Sequence, residues 1–276
     1  MNRRFALICA AVTIACYMCV VSESRAQAPI EKKPLAFEVA SVKPSMAGTR
    51  GSGIRPKPGG QGYVAANVSV SSMMQVMYRI TASQIVGGPT WMSSDVWDVE
   101  ANADHAGNTT DQLHEMFQTL LADRFELRFH REKKDMSAYV LSVDRSGSKL
   151  KVSQSKDPYD IPINPGDQPF KSVGTRVPIS YLCFYLSQTL RVPVVDQTGL
   201  DGFYDFTLEW MPQIDLPPAG QNTPGQFTVE SQIKMVEAIQ SAMISALRAQ
   251  LGLKLELRKA AVEVFVIDHV ERPSEN

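Results

Sequence analysis

Residues 251–267 read Leu-Gly-Leu-Lys-Leu-Glu-Leu-Arg-Lys-Ala-Ala-Val-Glu-Val-Phe-Val-Ile. Leu251, Leu253, Leu255 and Leu257 alternate with Gly252, Lys254, Glu256 and Arg258. A period of two predicts a strand with one buried and one solvated face. Val262–Ile267 is apolar on both faces, as a central strand is. The pair predicts a terminal hairpin. Working outward, Phe125–Glu132 and Met136–Val143 predict two more strands, joined by the charged tip Lys133, Lys134, Asp135. A gapless shift of 126 positions lays 125–143 on 251–269. It matches Phe125 with Leu251, Leu127 with Leu253, Phe129 with Leu255, Tyr139 with Phe265 and Leu141 with Ile267. Upstream in the same register, Leu113, Phe117 and Leu121 meet Ile239, Met243 and Leu247.

An internal duplication is therefore the first expectation. Val70, Met73, Met74, Met77 and Ile80 lie on one helical stripe, as do Leu113, Met116, Phe117, Leu120 and Leu121. Thr109 and Gln112 predict a capping box at the start of the second helix. Val96–Ala101 predicts a strand between the two. Further helices are expected near 178–190 and 230–250, with short strands at Val192–Val195 and Tyr204–Trp210. The fold class is α+β: two related helix-strand-strand-helix-strand-strand units, each with helices packed on a mixed or antiparallel sheet. The boundaries are 1–26 signal peptide, 27–36 extended segment, 37–143 first unit, 144–175 linker, and 176–272 second unit, which carries a Pro/Gly-rich insert at 211–229.

The signal-peptide reading rests on Arg3 and Arg4 ahead of an apolar run from Phe5 to Val21, with Ser24 and Ala26 at the −3 and −1 positions of a cleavage site. A retained anchor, or lipidation at Cys16, is the alternative. Export to the periplasm or beyond follows, with no membrane span left after cleavage. Loss of three arginines and one glutamate moves the net charge from −1 to −3, so nucleic acid is not an expected partner. Cys183 is then the one remaining cysteine, in the apolar stretch Tyr181–Leu186, and reads as a buried small hydrophobe without a disulfide.

Phe-Glu-Val-Ala-Ser-Val-Lys-Pro at 37–44, Gln-Ile-Val-Gly-Gly-Pro-Thr-Trp at 84–91, Leu-Leu-Ala-Asp-Arg-Phe-Glu-Leu at 120–127 and Val-Val-Asp-Gln-Thr-Gly-Leu-Asp-Gly-Phe-Tyr-Asp-Phe at 194–206 carry a resemblance. With Leu-Gly-Leu-Lys-Leu-Glu at 251–256 and the tail from Val266, they resemble the soil-associated family of exported bacterial proteins of uncharacterised function. The resemblance spans nearly the whole chain beyond the leader. It implies an exported protein, and no catalytic residues to carry over. The helix from Val70 followed by Ile85, Val86 and a Gly-rich turn is also similar, as architecture, to the short N-terminal module of secretins and TonB-linked receptors, where small units dock partners.

Catalytic signals are sparse. Ser148/Lys151, Ser153/Lys156 and Ser231/Lys234 match Ser-x-x-Lys without its companion motifs. His105, His114, His130 and His269 lack the spacing of a helical zinc site, so neither metal nor cofactor is expected. His130 is expected to be solvated and His114 to border the polar side of its helix. Asp268 and His269 are adjacent on a strand and should point to opposite faces. Arg128, Arg131, Lys133 and Lys134 form a basic edge that could be a docking patch. The expected function is a non-enzymatic binding or docking module with a protein partner in the cell envelope. The rival is a secreted hydrolase whose site gathers Asp104, His105 and Asp196.

Overall fold

The computed structural model describes residues 34–46, 51–156, 163–212 and 229–273. The expected signal peptide, most of the segment at 27–36 and the body of the insert at 211–229 lie outside the described residues. The first half runs β1 (Val39–Pro44), β2 (Gly53–Pro56), β3 (Gly62–Ser69), α1 (Val70–Met77), β4 (Ile85–Val86), the single turn α2 (Trp91–Ser94), β5 (Val96–Asn102), α3 (Thr110–Arg124) and β6 (Arg128–Val143). The second runs β7 (Lys151–Val152), β8 (Ile163–Pro165), β9 (Lys171–Pro178), α4 (Ile179–Leu190), β10 (Val194–Asp196), β11 (Phe203–Glu209), α5 (Val229–Ala246), a π-turn at Leu247–Leu251 and β12 (Leu253–His269).

Local signals place the helices where the sequence predicts them. The Ser69 side chain accepts from the Ser72 amide and starts α1. Thr109 and Gln112 close the capping box of α3 through bonds of 2.8 and 3.2 Å. The apolar stripes of α1 and α3 face a core holding Met73, Met77, Leu113, Phe117 and Leu121. The fold class is α+β, with antiparallel and mixed sheets.

The expected hairpins are absent. Lys133–Asp135 lies in the middle of β6, and Lys259–Ala261 in the middle of β12; each is one continuous strand. Neither stretch holds a glycine or asparagine to adopt the positive φ of a tight two-residue turn. The two strands instead pair antiparallel with one another along nearly their full length, from Leu253 opposite Val143 to Ile267 opposite Phe129, with Asp135 opposite Ala261 midway. The stretch 144–175, expected as a linker, contains β7, β8 and the start of β9.

Three sheets result, ordered β1-β5-β3-β2, β7-β11-β9-β8 and β10-β6-β12-β4. The two outer sheets are both four-stranded and antiparallel, and each carries a bulge. In the first, β3 bulges between Ala65 and Val68, where Asn67 has φ 53° and its amide donates to Asp98 Oδ1 at 2.8 Å. In the second, β9 bulges opposite Tyr204 and Phe206, where Arg176 has φ 52° and its amide donates to Asp205 Oδ1 at 2.8 Å. The central sheet exchanges strands between the halves: β4 runs parallel to β12, with Ile85 beside Phe265, and β10 runs parallel to β6, with Val194 beside Tyr139.

Each core therefore borrows from the other half. Phe265, from β12, is buried in the first core, and Leu141, from β6, in the second. The rings of Tyr78, Phe129 and Phe265 pack at centroid distances of 5.0 to 5.4 Å, joining the end of α1 to both long strands. Gln188 Nε2 donates to the Ile80 carbonyl at 2.9 Å, and Arg79 lies 5.4 Å over the Tyr181 ring. Phe265→Ala should lower stability by about 3–5 kcal/mol through the cavity it leaves. Chemical denaturation followed by the fluorescence of Trp97, in the first core, measures it; a change below about 1 kcal/mol would contradict the shared-core arrangement.

Candidate functional site

Among the described residues, a group of His and carboxylate side chains close enough to act together forms where α3 ends beside the end of β12. Phe125, fully buried, closes α3. The chain then turns through Glu126 at φ 48°, a left-handed conformation that favours glycine; Gly252 has φ 65° at the corresponding turn before β12. At the far end of β12 a register shift between Ile267 and His269 re-aims the last side chains. The Glu271 amide then donates to the Phe125 carbonyl at 2.7 Å, laying residues 270–273 against the turn. Arg272 anchors this segment, with Nε and Nη2 each 2.9 Å from Asp95 Oδ2 and its guanidinium 4.9 Å over the Trp91 ring.

This backbone brings three donors together. His269 Nε2 lies 3.1 Å from Glu271 Oε1 and 3.5 Å from Glu126 Oε2, and one donor atom from each of the three residues lies within 4.8 Å of the other two. Beside them opens a notch of about 290 Å³ lined by Val42, Asp123, Arg124, Glu126, Glu271 and Arg272. Helical His-His spacing could not reveal this set, because its members come from two segments distant in sequence.

The residues singled out from sequence lie apart from it. Asp104 and His105 are exposed in the loop after β5, 3.5 Å from each other. Asp196 ends β10, where its carboxylate accepts from the Thr198 amide and hydroxyl at 2.8 Å, a turn role. None of the three lines the notch. The basic edge divides between the two faces of β6, because Arg128 and Lys134 alternate with Arg131 and Lys133. Glu126, Glu132 and Glu263 stand beside Arg128, Lys134 and Arg131 at 3.8, 3.4 and 3.4 Å. Ser148 and Ser153 accept from backbone amides two residues on. Cys183 is buried, and that burial, with Asp196 nearby, pushes its thiol up to about 12; it is no thiolate nucleophile at neutral pH.

Asp268 and His269, at the register shift in β12, meet different partners. Asp268 bonds His130 Nδ1 at 2.8 Å across the sheet, while Glu132 lies 3.2 Å from His130 Nε2. His130 is exposed as expected, and these two carboxylates raise its pKa. His114 differs from expectation. It is buried, its Nε2 3.0 Å from the Tyr63 hydroxyl, with the Arg79–Asp111 ion pair nearby. Burial, and then Arg79, lower its pKa to about 4. The readable signal was helical: His114 precedes Phe117 and Leu121 by three and seven residues, on the apolar side.

A second concavity, about 520 Å³, lies between the end of β11 and α5. Trp210, Met211, Ala238, Ser241, Ala242 and Ser245 line it. Trp210 is buried and its indole N–H has no hydrogen-bond partner. Among the described residues, no helix is long and apolar enough to cross a membrane.

Two titrations follow. Unfolded His114 takes up a proton near pH 6.5 and folded His114 only near 4, so the stability tied to its neutral form is full above about pH 6.5 and declines as pH falls toward 4. The expected decline is roughly 2–3 kcal/mol, and His114→Gln should flatten it in denaturation curves collected across that window. For His130 the sign is opposite: its contacts favour the protonated ring and weaken as pH rises through the raised pKa. Asp268→Asn should bring that pKa back toward the ordinary imidazole value in an NMR titration.

Residues 71–270, from within α1 to just past the end of β12, match the protein family described as "Protein of unknown function (DUF3738)". No curated protein matches the chain, and no solved structure matches it.

Proposed function

We propose, for a chain that belongs to the DUF3738 family of unknown function, that it is an exported, non-enzymatic docking protein of the cell envelope, assembled from two copies of one module. Export is supported by the basic, apolar and small-residue order of residues 1–26. Duplication is supported by the matching strand orders of the outer sheets, their paired bulges, and the way the central sheet reproduces the 126-residue register: Tyr139 and Phe265, equated by sequence, hold equivalent partners in Val194 and Ile85.

One observation carries the docking reading. The apolar stripe of α5 that packs Ile239 and Met243 against the core continues toward the N-terminus as Val236 and Ile233, which are 52% and 53% exposed. This helix extends further at its N-terminal end than its counterpart α3, so the stripe continues past the core that covers the rest. Apolar anchors at i and i+3 on a projecting helix suit insertion into an apolar groove on another protein. Glu230 and Lys234 pair at 2.8 Å on the flank and Glu237 adds one further exposed charge, so the patch is weakly charged, which suits an apolar protein groove better than a strongly charged polymer.

Photo-crosslinking side chains placed at Ile233 and Val236, with Glu115 on α3 as the control position, test this in the native host. The expected result is an adduct with one envelope protein from 233 and 236, absent from 115 and lost in the I233D/V236D double variant. That variant should keep its stability within about 0.5 kcal/mol, since both side chains are on the surface. The same bulk proteins captured from all three positions would overturn the proposal, as would the chain remaining in the cytoplasm on fractionation.

A further inference from the structure

We propose that Glu126, His269 and Glu271 bind one divalent transition-metal ion, Zn²⁺ by donor chemistry, at the mouth of the notch beside α3. The orientation of the donors carries the inference. Both carboxylates approach the same ring nitrogen, His269 Nε2, at 3.1 and 3.5 Å. That nitrogen carries one proton or one lone pair, directed along one line in the ring plane, so it makes one good hydrogen bond and cannot serve two acceptors equally. A single cation resolves the geometry, because the lone pair of Nε2 and one oxygen from each carboxylate can all point at a common centre. Zinc takes imidazole nitrogen and carboxylate oxygen at about 2.0–2.2 Å. Adjacent donors around such an ion stand roughly 3–3.5 Å apart by that geometry, which matches the separations of 3.1 and 3.5 Å.

His130 provides the internal contrast. It also has two carboxylates, but Asp268 meets Nδ1 and Glu132 meets Nε2. They sit on opposite sides of the ring, as hydrogen bonds to an imidazolium require, and cannot share one ion with it.

The protein holds the three donors on fixed backbone. Glu126 occupies a left-handed position where a non-glycine side chain is disfavoured, and Gly252 fills that position in the other half. Glu271 is placed by its own amide on the Phe125 carbonyl, and Arg272 beside it is clamped by Asp95 and Trp91. One imidazole with two carboxylates selects a borderline transition metal over Mg²⁺ or Ca²⁺, which take all-oxygen shells. Three protein ligands leave a coordination position open. Glu126 and Glu271 also line the notch, so that position is available to water or to an anionic group seated near Arg124 and Arg272.

The full chain, stripped with a chelator, is titrated with Zn²⁺ by calorimetry and with Co²⁺ by ligand-field absorption. One equivalent should bind, with affinity weakened more than about tenfold in His269→Ala and in Glu271→Gln, and unchanged in His130→Ala. Glu126→Gly separates site from fold: glycine suits the left-handed turn, so stability should hold or rise while metal affinity falls. Absence of saturable binding would overturn the proposal. One-equivalent binding that survives both His269→Ala and Glu126→Gly would overturn it too, by placing the ion elsewhere. Neither outcome bears on the α5 docking surface, which shares no residue with this cluster.

Discussion

The pairing of β6 with β12 is the interaction on which the rest of the structure depends. It joins residues 128–143 to residues 253–269, and so couples two stretches separated by more than a hundred positions in one ladder. Closing so long a loop is entropically costly, and the return comes only when the strands' two ends are buried in different cores. At one end Phe129, Phe265 and Ile267 close the first core; at the other Leu141, Leu253 and Leu255 close the second. Neither core is complete without the ribbon, and the ribbon has no apolar cover without the cores. The short strands β4 and β10 complete the exchange by lying beside the long strand of the opposite half.

This arrangement accounts for the chemistry at the strand centres. Lys133, Lys134 and Asp135 look like a hairpin tip because three charged residues interrupt an apolar pattern, yet they occupy the span between the two cores, where β6 is exposed on both faces. Charge marks solvent; it does not by itself mark a turn. The turn signals that the structure honours are steric or hydrogen-bonded. Gly252 could not carry a Cβ, which would stand 2.1 Å from the Gly147 carbonyl oxygen. Asp98 and Asp205 each accept the amide of a residue forced to positive φ at a bulge.

The site residues divide by how far apart in sequence their partners lie. Cys183 as a buried hydrophobe was legible, because its local apolar context decides it. His114 was readable only in part: its helical phase was available, but its hydroxyl partner Tyr63 comes from β3. The Glu126–His269–Glu271 cluster left no trace in spacing. It depends on where β12 ends against the cap of α3, on the bulge before His269, and on one backbone bond from Glu271 to Phe125.

Sequence by itself determined the α+β class, the positions and stripes of the helices and the capping box at Thr109. All of these are periodicities or short-range contacts, written within a few residues or repeated at a constant interval. Tertiary structure alone decided that residues 128–143 and 253–269 are each other's partners, that their expected tips run straight through, that the segment after β6 enters a second sheet, and that three donors meet beside α3. A period of two states which face of a strand is buried, but every strand offers the same backbone donors and acceptors along its edge. Which strand lies alongside is settled only by the burial that the whole chain achieves at once.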